Sequence, residues 1–172
     1  MTKIILIGYR GTGKSTVGQS LGKRLNVPVW DSDPEIERRA GKTITEMFNQ
    51  DGEATFRDLE AAVIADLLQR DSFVLATGGG AVLREETRRR LRQSGQVVYL
   101  IAKPATILRR MQDDKKSATM RPGLTSLPPL EEILVVLEKR RSLYEETAHV
   151  TIDTSGKTVE EVVEDILSLI NH

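Results

Sequence analysis

The chain has 172 residues, 39% of them hydrophobic and 29% charged, the balance of a single globular domain with a sizeable core. Its 25 basic residues are matched by 25 acidic ones and aromatics make up only 4%, so no overall charge draws it to nucleic acid or an anionic membrane, and few rings could stack on single-stranded bases. No cysteine is present, which excludes disulfides and thiolate metal sites and fits a reducing compartment.

The N-terminus enters a strand-like run directly, without the regions of a signal peptide, and no apolar run approaches the ~20 residues of a membrane span. A soluble cytoplasmic protein is expected. Ile4–Ile7 is a continuous apolar run that reads as a buried strand. It leads into "GYRGTGKS", Gly8 to Ser15, which fits G-x-x-x-x-G-K-S/T at every fixed position. Glycines there let the backbone turn several N–H groups inward as an anion cradle. Val17, Leu21 and Leu25 recur every four residues and mark a helix after the loop. Its N-terminus adds partial positive charge. Lys14 can reach the outer phosphates of a nucleoside triphosphate, and the Ser15 hydroxyl can ligate magnesium.

Pro28–Asp31 is a weaker strand that ends in "WDSDPE". Asp31 and Asp33 are two apart, so in an extended segment both project to one side, at the strand end where open parallel sheets bind ligands. One carboxylate can hold magnesium through water and the other can accept a hydroxyl proton. The competing reading is that Asp31 ends the strand and Ser32 or Asp33 caps the next helix. In "FRDLE", Arg57 and Glu60 are three apart on a helical stretch and can pair, either to fix a guanidinium or as a solvated surface pair.

Phe73–Ala76 is a strand followed by "TGGG", and the three glycines Gly78, Gly79 and Gly80 let a ligand approach bare backbone and its N–H donors. That strand ends in Ala76-Thr77 and not in the aspartate that often holds magnesium, which makes Asp31 the better candidate. The run "REETRRRLR", Arg84 to Arg92, has Glu85–Arg89 and Glu86–Arg90 at i,i+4 and reads as a solvated helix face, not a nucleic-acid patch. Val97–Ile101 is a fourth strand.

Gln112 to Pro129 mixes charges, Gly123 and three prolines, a long loop of the kind that carries function. Leu130, Ile133, Leu134, Leu137 and Tyr144 form an apolar helical stripe. Arg140 lies on or beside it and should point into a cleft towards an anion, although Arg141 is four from Leu137 and spacing cannot choose between them. Val150–Asp153 is the fifth strand, and Val159, Val162, Val163, Ile166 and Ile170 mark a last helix. His149 and His172 are assigned no chemistry. Apolar strands alternating with helices predict an α/β fold, a parallel sheet covered on both faces.

In this order, the phosphate loop, "DSD", "FRDLE", "TGGG", the "RP" at Arg121–Pro122 and "RRSLY" ending at Tyr144, the chain resembles the shikimate kinase family along nearly its whole length. The resemblance implies a P-loop three-layer fold with a five-stranded parallel sheet. It implies a single kinase domain over 1–172, with a lid at about 112–126 and a substrate-binding helical part at about 33–62. It further implies transfer of the ATP γ-phosphoryl group to the 3-hydroxyl of shikimate, in aromatic amino-acid biosynthesis, with Mg2+.

By position, Gly11, Thr12, Gly13, Lys14, Ser15 and Thr16 are then expected to bind ATP, with Arg110 over the adenine and Arg121 as the lid arginine. Asp33 matches the residue that binds the reacting hydroxyl, Arg57 and Arg140 the pair that grips the carboxylate, and Gly79 a backbone contact to the ring. Ser15 and Asp31 are the expected metal ligands. The lid reads "RPGL" where the family has "RPLL", and Ser142 replaces a proline before "LY". A gluconate-type or nucleoside-monophosphate kinase shares the fold and loop, and a non-catalytic ATP-binding module is the other alternative. The expected partner is a small molecule, with neither nucleic acid nor membrane, acting on a monomer.

Overall fold

The computed structural model describes residues 1–113 and 125–170. Its strands are β1 (Lys3–Ile7), β2 (Val29–Asp31), β3 (Phe73–Ala76), β4 (Gln96–Ile101) and β5 (Val150–Asp153). They form one sheet in the order β2-β3-β1-β4-β5, every pair parallel, with Leu6 opposite Ala76 on one side and Val98 on the other. All five expected strands are present, within a residue of their expected bounds. Every residue of β3 and the last four of β1 are buried, as strands covered on both faces must be.

The helices are α1 (Lys14–Leu25), α2 (Ser32–Ala40), α3 (Ile44–Gln50), α4 (Glu53–Leu67), α5 (Glu85–Ser94), α6 (Pro104–Asp113), α7 (Pro129–Thr147) and α8 (Val159–Ile170), with a short 3-10 turn at Ala81–Leu83. Alternation along the strands sorts them into two layers. Ile4, Leu6, Val74, Val98 and Leu100 pack against Val17 and Leu21 of α1 and Val162, Val163 and Ile166 of α8. Ile5, Ile7, Leu75, Val97 and Tyr99 pack on the other side against Val63 and Ile64 of α4, Leu91 of α5 and Tyr144 of α7. β1 leads into α1 on one face of the sheet and β3 towards α5 on the other, so the C-terminal ends of these adjacent strands frame the crevice where such folds bind ligands.

Two expectations change. On α7 the buried row is Glu132, Val136, Arg140 and Tyr144, joined by Ile133, while Leu130 is 41% and Leu134 50% exposed. Each residue turns the helix by about 100°, so Leu134, two residues from both Glu132 and Val136, lies close to half a turn off the row that meets α6 and the sheet. Asp31 and Asp33 do not share an extended segment either, because α2 begins at Ser32. Most of the expected lid, Arg121 and Gly123 included, lies outside the described residues, as does His172. Gln112 lies in the last turn of α6, and Thr125 leads into α7.

Candidate active site

The loop after β1 is shaped by backbone that L side chains rarely adopt: Gly8, Gly11 and Gly13 have φ of 142°, 80° and 101°. Gly13 also serves as N-cap of α1, which aims the first N–H groups of that helix into the cradle. The Lys14 ammonium folds over its own loop, donating to the carbonyls of Gly8 at 2.5 Å and Tyr9 at 3.0 Å. It is thus held at the mouth that the phosphates would fill. The Thr12 hydroxyl donates to the Tyr9 carbonyl at 2.7 Å, and the Thr12 carbonyl accepts from Thr154 at 3.0 Å. Thr16 lines the same cleft.

Asp31 combines both readings made of it. Its Oδ2 accepts the Ser15 hydroxyl at 2.6 Å, and its Oδ1 accepts the Asp33 N–H at 3.1 Å as the cap of α2. No group of three or more His, Cys, Asp or Glu fit to hold a metal occurs among the described residues. The site fits magnesium in the sparse way that ion uses: one hydroxyl, one carboxylate, and otherwise water and phosphate oxygen. Arg110 lines this cleft but is tied to it by hydrogen bonds, from Nη1 to the Gly11 carbonyl at 3.1 Å and from Nη2 to the Thr154 carbonyl at 3.1 Å.

Beside it lies a tighter cleft of about 480 Å³, lined by Asp33, Arg57, Glu60, Arg140 and the three glycines, with Phe48 and Phe56 as apolar wall. Arg57 and Glu60 are not a surface pair. Both are buried on α4, with Arg57 Nη1 donating to Glu60 Oε1 at 2.8 Å. Burial pushes the Glu60 carboxyl up, against the pull of the Arg57 guanidinium. Arg57 Nε and Glu60 Oε2 are buried without partners among the described residues, polar atoms in want of a ligand. Of the two arginines on α7, Arg140 is the buried one that lines the cleft, while Arg141 is exposed and paired with Glu138 at 3.2 Å.

The glycine triplet lines the acceptor cleft and also serves bonds within the protein. The Gly78 N–H donates inward to the Ser32 hydroxyl at 3.1 Å, and the Gly79 carbonyl accepts the Tyr144 hydroxyl at 2.5 Å. Burial pushes that phenol up to about 12, which keeps it a donor, and Tyr99 stacks on it at 4.8 Å. What the absent side chains admit is the protein's own polar groups. A Cβ on Gly78 would stand 2.9 Å from Asp33 Oδ1 and 3.0 Å from Glu60 Oε2, and one on Gly80 would meet the Arg57 guanidinium.

Sequence reasoning passed over Arg10, Phe48, Thr154 and Glu132. Arg10 sits at a variable position of the loop motif, and Phe48 carries no periodic signal. Thr154 follows the end of β5 at the ligand-binding edge, a placement that could have flagged it. Glu132 shares an i,i+4 row with Val136, Arg140 and Tyr144.

Asp33 lines both clefts, so a phosphate cradle and an arginine-rich acceptor cleft meet at a carboxylate. That arrangement defines a P-loop kinase of small molecules. A family model described as shikimate kinase matches residues 10–171. The chain belongs to the shikimate kinase family. It is 44% identical over 164 residues to a shikimate kinase of Burkholderia pseudomallei, covering 95% of this chain and 87% of the relative. It is 45% identical over 168 residues to shikimate kinase 1 of Yersinia enterocolitica, covering 97% and 95%. The structure of shikimate kinase from Acinetobacter baumannii in complex with shikimate superposes with a TM-score of 0.92 at 39% identity, over 99% of this chain and 93% of that one.

Proposed function

We propose that the chain transfers the γ-phosphoryl group of ATP to the 3-hydroxyl of shikimate, giving shikimate 3-phosphate and ADP on the route to chorismate and the aromatic amino acids. The observation that carries this reading is the cleft in which two buried arginines, Arg57 and Arg140, and a carboxylate, Asp33, come together beside the phosphate loop. Shikimate offers one carboxylate and three hydroxyls. Planar guanidinium groups take a carboxylate through paired hydrogen bonds, and Glu60 fixes one of them in advance. Asp33 accepts the hydrogen bond of the reacting hydroxyl and orients its oxygen towards the γ-phosphorus.

As the new O–P bond forms, the bond from the γ-phosphorus to the β–γ bridging oxygen breaks and ADP leaves. The hydroxyl proton passes to Asp33. Lys14, presented at the loop mouth, exchanges its carbonyl contacts for the outer phosphates. Ser15 and Asp31 would hold the magnesium that neutralises charge between those phosphates when bound. The α2–α4 region within 33–62 serves as the acceptor-binding part of one kinase domain. Among the described residues no helix is long and apolar enough to cross a membrane, and the reading is of a monomer acting in the cytoplasm.

The test is purified protein with magnesium, ATP and one candidate acceptor at a time, read by coupled ADP release. Release that depends on shikimate is expected. Equal or greater release with gluconate or a nucleoside monophosphate would give the acceptor cleft to a different substrate, and ATP binding with no release on any alcohol would make the chain a binding module.

A further inference from the structure

Arg10 stands between Tyr9 and Gly11 at a position the phosphate-loop motif leaves open, and it lines both clefts. Among the described residues Asp33 and Ile44 are the others that do so, which makes Arg10 the cation at the junction among them. Its side chain is 13% exposed, and its Nε is buried without a partner among the described residues. A charged donor left so in the protein is satisfied when a ligand oxygen arrives.

Behind Arg10 lies Glu132 of α7, which is buried and lines neither cleft. One of its oxygens, Oε1, is committed to Thr125, accepting the N–H at 2.6 Å and the hydroxyl at 3.1 Å. The other, Oε2, stands 3.6 Å from Arg10 Nη2. That is ion-pair range, but longer than the ~2.7–2.9 Å of a charge-assisted hydrogen bond. Glu132 is thus gripped from one side and offers its charge to Arg10 on the other. A buried carboxylate outside both clefts can influence binding only through what it holds. Without it the long arginine side chain would be free to swing into the wider nucleotide cleft.

We propose that Arg10 is a further acceptor-contacting residue and that Glu132 is its positioning residue. The proposal rests on the shikimate reading above. The phosphates already have the loop N–H groups and Lys14, and in the acceptor cleft Arg57 and Arg140 are assigned to the carboxylate, so an added fixed guanidinium makes the larger difference to the acceptor's hydroxyls. Arg10→Met keeps the stem and removes the fork. Glu132→Gln keeps an oxygen for Thr125 and nearly the same shape but removes the charge.

The experiment measures kcat and both KM values for wild type, Arg10→Met, Arg10→Lys, Glu132→Gln and the Arg10→Met, Glu132→Gln double variant. Arg10→Met should raise the KM for shikimate about tenfold, the scale of one charged hydrogen bond, with kcat and the KM for ATP within about twofold. Arg10→Lys should fall between it and wild type. Glu132→Gln should raise the shikimate KM about threefold alone and add nothing in the Arg10→Met background, the signature of residues that act as one unit. An equal effect of Glu132→Gln in both backgrounds would assign it to holding Thr125 and overturn its role on Arg10. An unchanged shikimate KM in Arg10→Met overturns the contact itself. A wild type that releases no ADP with shikimate refutes the underlying activity, an outcome distinct from either.

Discussion

The sharpest probe of the acceptor cleft is a methyl group at Gly80. Gly80 has φ −97° and ψ 8°, a conformation open to alanine, so Gly80→Ala adds volume without backbone strain. Its Cβ would lie 2.6 Å from Cζ of Arg57 and nearer still to both terminal nitrogens, against ~3.5–4.0 Å for non-bonded carbons at rest. Arg57 must move by about an ångström or more, and it cannot retreat freely. It is held by Glu60 at 2.8 Å and lies 5.0 Å from the Phe56 ring centre. If this guanidinium grips the shikimate carboxylate, displacing it removes a charged hydrogen bond of ~1.5–3 kcal/mol. That corresponds to a dissociation constant weaker by about ten- to a hundredfold or slightly more.

Gly80 does not line the nucleotide cleft, so ATP affinity should stay within about twofold. Calorimetric titration with shikimate reads the first number and titration with an ATP analogue the second, each on protein checked by thermal melting. A shikimate analogue lacking the carboxylate should bind wild type and Gly80→Ala alike. A folded Gly80→Ala protein with wild-type shikimate affinity would show that Arg57 carries no part of the grip.

Asp33→Asn should lower kcat ~100-fold while leaving ATP affinity nearly unchanged, and near-normal turnover would remove Asp33 from the proton transfer. Arg140→Met should weaken shikimate binding by ~1.5–3 kcal/mol and Arg141→Met by nothing measurable; the reverse order would move the grip to the exposed face of α7. Glu35 is held down to about 2 from an ordinary 4.5, chiefly by the hydrogen bond from Arg38 and then by Arg39. Its share of stability is therefore full above pH 4.5 and is lost as pH falls towards 2. Urea midpoints of wild type and Glu35→Gln should differ at neutral pH and converge over that window, and a gap that persists at the acid end contradicts the assignment.

The sheet was legible because buried parallel strands must be apolar throughout, and each run was bounded by loops of different chemistry. The phosphate loop was legible because its glycines are required by its φ values. The Arg57–Glu60 pair followed from i,i+3 spacing, but its burial did not, since the same spacing serves a solvated pair equally well. The α7 stripe was misjudged for a physical reason. Counting only apolar residues favoured Leu130 and Leu134, whereas the buried row runs Glu132, Val136, Arg140, Tyr144. Two of those four are charged, Arg140 because it lines the acceptor cleft and Glu132 standing behind Arg10, and function breaks the apolar pattern there. The i,i+4 row containing both an acid and an arginine was the available signal, and it would also have settled Arg140 against Arg141.

Charge pairing in the acceptor cleft carries the reasoning one step further. Arg57 has Glu60, and Arg10 has Glu132 behind it. Arg140, only 8% exposed, is shared more thinly, its charge acting on the Glu60 carboxyl and on the Tyr144 phenol. A buried cation without its anion is the costly half of an ion pair, and the half that a ligand carboxylate completes. On that argument a ligand carboxylate should relieve part of the cost of burying Arg140. It follows that Arg140→Met, which keeps the stem packed, should leave the unliganded protein at least as stable as wild type even though it binds shikimate worse. Shikimate should then raise the melting temperature of wild type well beyond that of the variant. A variant that melts markedly lower than wild type without ligand would mean that Arg140 is already compensated within the fold, and that its part in acceptor recognition is packing and not charge.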